Sequence, residues 1–286
     1  GAAGKWTDAA TAEHGDLLDV IRESCGLVDF KDVAEEARSF LSLPRPEPDP
    51  QPRSRPGIAP AGSPETSRRL FAMAQPIAGT IVETHLRKRG VAALHETGAL
   101  RFHPRCYYRP EGHGPTETWP AMIAAVTDLG GSQTGAHRTW LRPDGRGKAP
   151  VETPRRAMGH LLGHSVRFGK AQDVLAAGEG IETVLSARSG LPKMPMLAAL
   201  SAAHLAAILF PASLRRLYIV RDLDPAGDGA RDSLVERARS VGIEAVVLSP
   251  GLGDFNEDLR HHGIDALRAA LRVQIAPEDV SRFMEA

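Results

Sequence analysis

Between residues 171 and 262 the chain alternates short apolar runs with segments of helical pattern, and this rhythm leaves few folds open. Strands are expected at 173–177, 196–200, 216–220 and 244–248. Helices are expected at 181–188 (closed by Gly190), 202–209 (ended by Pro211), 225–241 and 256–262. Strands separated by helices pair in parallel and carry the helices on both faces of one sheet. In such sheets, ligands collect at the carboxyl ends of the strands, so that edge is the place to look for chemistry.

Three of the expected strands run into carboxylates. Val174-Leu175-Ala176-Ala177-Gly178 leads into Glu179-Gly180-Ile181-Glu182, and Leu217-Tyr218-Ile219-Val220-Arg221 leads into Asp222-Leu223-Asp224-Pro225-Ala226-Gly227. The fourth strand is followed by Gly253-Asp254-Phe255-Asn256-Glu257-Asp258. Taken singly, each piece has an ordinary reading: Glu-Gly is a turn, and Asp before Pro-Ala-Gly caps a helix. Taken together, carboxylates on strands about 4.8 Å apart can share a divalent ion. Mg²⁺ takes oxygen ligands, usually one or two carboxylates plus substrate phosphate oxygens.

With these motifs the chain resembles the toprim domains shared by bacterial primases, topoisomerases and several nucleases. Glu179, Asp222 and Asp224 match the family's acidic positions. Glu-Gly-Ile-Glu-Thr and Asp-Leu-Asp-Pro-Ala-Gly look most like toprim proteins of phages, plasmids and other mobile elements. The resemblance implies a Rossmann-like parallel sheet with flanking helices, an α/β fold. It also implies that these three acids are catalytic and hold Mg²⁺ or Mn²⁺, with Asp254 and Asp258 as outer or second-metal groups. Arg221 departs from the pattern, where a neutral residue is usual.

Upstream, residues 137–170 hold eight basic residues against two acids, Asp144 and Glu152. Such a run suits phosphate contacts, although a solvated basic face is the plainer reading. In bacterial-type primases the subdomain before the toprim core carries a Gly-Gly-Arg-like hairpin, a Lys segment and a Leu-Tyr-Gly-like turn. Gly135-Ala136-His137-Arg138, Gly147-Lys148-Ala149-Pro150 and Gly159-His160-Leu161-Leu162-Gly163 follow that order, without the glycine pair. The resemblance thus makes Arg138 and Lys148, with Arg142, Arg146 and Arg155, contacts for nucleic acid or nucleotide.

Composition sorts the remainder. Residues 1–43 are acidic with helical spacing at 16–21 and 32–41; relatives in the resembled family often carry a zinc-binding module before this region, and the resemblance implies that it is either absent here or cut away, leaving these residues as its remnant. Residues 44–64, with eight prolines in twenty-one positions, read as an extended linker. Residues 65–170 form a basic α+β subdomain: a helix over 65–89, then short strands including a hairpin of 121–126 and 135–141. Residues 171–272 form the toprim domain and 273–286 a tail.

The 35 basic and 35 acidic residues cancel, which neither favours nor excludes a polyanion partner. Two cysteines make no disulfide framework, so a reducing cytoplasm is expected. No run approaches the roughly 20 apolar residues of a membrane span. His103 and Cys106 lack a second pair at zinc spacing.

The function that the resemblance implies is metal-dependent primer synthesis for a mobile element, on a single-stranded DNA template with nucleotides, and from the resemblance alone a replicative helicase is a further expected partner. The alternatives are a toprim nuclease, and a non-catalytic nucleic-acid-binding module that keeps the fold.

Overall fold

The structure, a computed structural model, describes residues 5–7, 14–27, 32–33, 36–37, 62–92, 94, 97–111 and 114–284. Contacts divide the chain into two units, Gly1–Pro56 and Gly57–Ala286. In the first, β1 (Lys5–Thr7) pairs antiparallel with β2 (His14–Asp16) and runs into α1 (Leu17–Cys25). The hairpin has no counterpart in the sequence reading. Of the second expected N-terminal helix, 32–33 and 36–37 are helical, and the rest lies outside the described residues, as does most of the proline-rich segment.

The second unit opens at Ser63, whose hydroxyl accepts the Thr66 amide, with Pro64 at the first helical position. A polar cap followed by proline is a helix start that supplies an acceptor and a preset φ. The single helix expected over 65–89 is interrupted. It forms α2 (Pro64–Met73) and α3 (Ile81–Lys88), separated by β3 (Gln75–Pro76) and a turn at Gly79 with φ +71°. Pro76 cannot supply the amide that a continuous helix needs.

An antiparallel meander follows: β4 (Leu100–Tyr108), β5 (Glu117–Thr127), β6 (Gln133–Trp140) and β7 (Arg155–Gly159), ordered β3-β4-β5-β6-β7. The expected hairpin is present, with Ala121 opposite Trp140 and Val126 opposite Gly135. Pro104 interrupts β4, and the register shifts between His103 and Cys106. A proline inside a strand forces such a bulge.

The second sheet, in the order β12-β11-β9-β10-β8, comprises β8 (Val166–Phe168), β9 (Val174–Gly178), β10 (Met196–Ala198), β11 (Arg216–Val220) and β12 (Glu244–Leu248). The last four are parallel, as expected. β8 is an antiparallel edge strand drawn from the segment assigned to the upstream subdomain.

Helices α4 (Ile181–Gly190), α5 (Ala202–Ala206), α6 (Pro225–Ser240) and α7 (Phe255–Arg272) connect and cover the sheet. α7 runs ten residues beyond the expected end at 262, past a kink at Gly263, where φ is +80°. The segment expected as a tail carries α8 (Pro277–Phe283). Asp279 there is fully buried and accepts the Tyr218 hydroxyl at 2.7 Å and Arg216 at 2.6 Å.

Three apolar clusters define the layers. One lies between α2 and the far face of the meander and includes Cys106, Tyr108, Ile123 and Trp140. One lies beneath α5 and α6 on the outer face of the parallel sheet. The largest fills the space between the two sheets, combining Val82, Leu86, Met122 and Leu141 with Val184, Leu185, Phe255 and Leu271.

Candidate metal and nucleic-acid site

Pairing of β9 with β11 places Gly178 opposite Val220, so Glu179 and Arg221 leave neighbouring strands level with each other. Two close approaches hold these ends together. A Cβ on Gly178 would lie 2.8 Å from Val184 Cγ2, and one on Gly227 would lie 2.4 Å from the Asp222 carbonyl oxygen. Only glycine fits at either place.

The Asp222–Asp224 turn is joined to the last acidic loop by Leu223 N–H donating to Gly253 O at 2.8 Å. Leu200 N–H donates to Glu179 O at 2.8 Å. Leu200 is the one non-glycine residue with positive φ (79°) among those described, a costly conformation that tends to persist at functional sites.

The acids repel one another. Burial, then Glu179, Asp254 and Asp224, push the Asp222 carboxyl up to about 7, offset in part by Thr183. Its Oδ1 is buried and has no hydrogen-bond partner. Burial and then Asp224 also raise Glu179, while Arg155 opposes the shift. Asp224 and Asp254 each spend one oxygen capping a helix, on Gly227 N–H and Glu257 N–H, both at 2.7 Å.

Among the described residues no three His, Cys, Asp or Glu side chains gather closely enough to enclose an ion unaided. An all-oxygen, mutually repelling set with an unpartnered buried atom fits a hard cation that completes its shell with water and phosphate oxygens. Glu179, Asp222 and Asp224 are the acids that would supply ligands to such an ion, and Asp254 acts on Asp222 through its charge.

Asp258 differs from these. Its two oxygens accept Gly251 N–H and Leu252 N–H, both at 2.8 Å, and the residue is 5% exposed. The carboxylate is turned onto the loop and holds Pro250–Gly253 in place. Arg221, the departure from the family pattern, pairs with Asp228 on α6.

The basic residues fall on two faces of the meander. Arg155 pairs with Thr139, while Arg156 pairs with Arg138, and paired residues share a face. Arg155 is exposed and acts on Glu179, and Lys148 acts on Glu182. Both therefore belong to the side facing the acids. Arg138 lies on the other face, its guanidinium 5.0 Å from the Trp140 ring centroid. Arg142 and Arg146 are exposed on the hairpin between β6 and β7.

The sequence reading passed over a buried group beside the acids. His85 Nε2 lies 3.8 Å from Glu182 Oε1, and neither atom has a hydrogen-bond partner. Burial opposes ionisation of Glu182, but His85 and Lys148 hold its carboxyl down at about 2. Burial also lowers the adjacent His137 to about 4. Glu182 stood inside the Glu-Gly-Ile-Glu motif, and the two histidines come from distant segments with no pattern linking them.

Residues 174–265 match the toprim domain family, and residues 61–168 match a domain of unknown function (DUF7146). No curated protein matches the chain. Among solved structures, the zinc-binding and RNA polymerase domains of Aquifex aeolicus primase are similar at 14% identity and TM-score 0.52, over 95% of this chain and 73% of that one. A DNA primase domain from Pseudomonas aeruginosa is similar at 15% identity and TM-score 0.51, over 73% and 78%. The DnaG catalytic core is similar at 16% identity and TM-score 0.50, over 77% and 87%. Residues 174–265 thus form a toprim domain, and the fold is similar to that of primase catalytic cores.

Proposed function

We propose that the chain is a metal-dependent nucleotidyl transferase that synthesises an oligonucleotide primer on single-stranded DNA. The observation that carries this reading is the set of Glu179, Asp222 and Asp224 at adjacent parallel strand ends, with a buried Asp222 oxygen left unpartnered. In this reading those three residues hold Mg²⁺ or Mn²⁺, and Asp254 adds negative charge from the neighbouring loop. The bound ion supplies charge neutralisation and alignment for an in-line displacement at phosphorus.

Lys148 and Arg155, on the meander face toward the acids, grip phosphates of template or nucleotide, while Arg142 and Arg146 extend that basic edge. Glu182 fixes the charge balance around Lys148. Asp258 acts through the loop that it holds. The setting carried by the resemblance is a mobile element replicated in the cytoplasm, with a replicative helicase as partner. Among the described residues no helix is long and apolar enough to cross a membrane.

The test is a gel assay with labelled single-stranded DNA, nucleotides and Mg²⁺ or Mn²⁺, comparing wild type with Asp222→Asn/Asp224→Asn. New oligonucleotides that need metal and vanish in the variant support primer synthesis. Shortened template that vanishes in the variant would make the site a nuclease. Nucleic-acid binding alone, unchanged in the variant, would make it a binding module.

A further inference from the structure

α2 and the meander face beneath it enclose a groove of about 560 Å³, on the side away from the acids. Register fixes which side chains form its floor. His103 lies opposite Ala121, Met158 lies opposite Ala136, and Arg138 is two residues from both Ala136 and Trp140. Ala121, Ala136 and Trp140 are buried in the cluster under α2, and paired residues, like residues two apart on a strand, share a face. α2 supplies the wall with Arg69, Leu70 and Met73.

Arg138 is the unusual member of this floor. Its Nε is buried with no hydrogen-bond partner, and among the described residues no carboxylate pairs with it. Its guanidinium rests over the Trp140 ring instead. Burial works against its charge, with Cys106 opposing that effect and Arg156 adding to it. A cation left in this state is costly, and an anion brought from outside relieves the cost. Arg69 is exposed on the wall, and no carboxylate lines the groove among the described residues. Burial also lowers His103, so the ring is neutral, and its Nδ1 accepts the Arg105 amide at 3.2 Å. The ring proton is therefore on Nε2, a further donor.

We propose that this groove binds a nucleotide through its phosphoryl group, with phosphoryl oxygens on Arg138 and Arg69 and the base against Met73 and Met158. Guanidinium groups match phosphate geometry, and two of them with no acid nearby offset a doubly charged phosphoryl better than a single carboxylate. Methionine thioethers adapt to flat rings and pack well against them, and Met73 is 72% exposed. The volume lies within the range of small-molecule sites. The site goes beyond the proposed catalysis, since it needs neither metal nor the acids and lies on the opposite side of the sheet from Lys148 and Arg155.

The experiment is titration calorimetry of ATP into the full chain in EDTA, with adenosine and inorganic tripolyphosphate beside it. Arg69→Ser is expected to weaken ATP binding about tenfold, and Arg138→Met by at least as much. Adenosine, which lacks the phosphoryl groups, is expected to give no binding heat. A short oligothymidine added as competitor separates the two sources of the same chemistry. Displacement of ATP assigns the groove to the phosphates of a strand, and no displacement assigns it to free nucleotide; phosphoryl recognition stands in both cases.

Matching thermal melts check that each variant is folded, and the exposed Arg69 keeps the test open if Arg138→Met is not. No ATP binding by the wild type, or wild-type affinity in both groove variants, overturns the proposal. Adenosine binding as tight as ATP binding also overturns it. ATP binding that falls in Arg155→Ser but in neither groove variant places the nucleotide beside the acids and overturns it too. Displacement of ATP by polyglutamate as effective as by tripolyphosphate overturns it in favour of an acidic protein partner. Failure of primer synthesis with these binding results intact would count against the catalytic reading alone.

Discussion

Replacing Asp222 with Asn is expected to stabilise the metal-free protein at pH 8 and to leave its stability almost unchanged near pH 4. The carboxyl titrates near 7 in the folded chain against an ordinary 3.8, so between those values the native state binds more protons than the unfolded one. Stability then falls as pH rises through this window and levels off above it. At about 1.4 kcal/mol per pH unit the full penalty is roughly 4 kcal/mol.

Asp222 is only partly enclosed, and solvent screening reduces this to about 1–2 kcal/mol. For a unit of this size that corresponds to a melting temperature about 2–8 °C higher. The amide keeps the shape of the side chain and its approach to Thr183 while removing the charge. The assay is a set of thermal melts in EDTA at pH 4, 6 and 8, repeated with Mg²⁺ at pH 8. Wild type should gain stability from the ion by mass action, and the variant should gain little, so the order of the two proteins narrows or reverses. A variant no more stable than wild type at pH 8 in EDTA, or equally stabilised at pH 4 and pH 8, would refute the reasoning.

Three other substitutions test separate parts of the structure. Asp279→Ala leaves Arg216 and Tyr218 without their buried acceptor and should cost about 3 kcal/mol, read as a lower urea midpoint. Gly227→Ala brings a methyl against the Asp222 carbonyl. It should abolish the rise in melting temperature on adding Mg²⁺ while circular dichroism stays native. Asp258→Ala strands the Gly251 and Leu252 amides and should cost about 2 kcal/mol. Calorimetry should show Mg²⁺ affinity falling far less than in Glu179→Gln, and an equal fall would make Asp258 a ligand.

The acidic set was legible because strand ends are marked by where an apolar run stops, and carboxylates stood at three of those stops. The parallel sheet followed from the same rhythm. The separation of Arg138 from Lys148 and Arg155 was not legible. Which face a strand residue occupies depends on register, and one residue of slip moves every side chain across the sheet. The break between α2 and α3 was masked because Ile77 and Ile81 continue the helical spacing of Leu70 and Phe71, although Pro76 and Gly79 were visible. Asp258 looked equivalent to Asp254 because both are acids at the start of one helix. Only the path of the preceding loop turns one toward the other acids and the other onto backbone amides. The pairing of His85 with Glu182 joins residues nearly a hundred positions apart, beyond the reach of any local pattern.

Asn256 sits buried where the halves of the molecule meet, donating its amide to the Arg89 carbonyl at 2.7 Å and the Ser186 hydroxyl at 2.9 Å. Beside it, Gly90 leaves room for Leu259, which would lie 3.1 Å from any added Cβ. The matched families part between residues 168 and 174, yet the largest apolar cluster runs straight across that point. A recombination event joining this toprim part to a different upstream part would take the Arg89 carbonyl from the Asn256 amide and the close contact of Gly90 from Leu259. The two halves are therefore expected to travel as one heritable piece, and diversity to accumulate at their outer surfaces instead of at their junction.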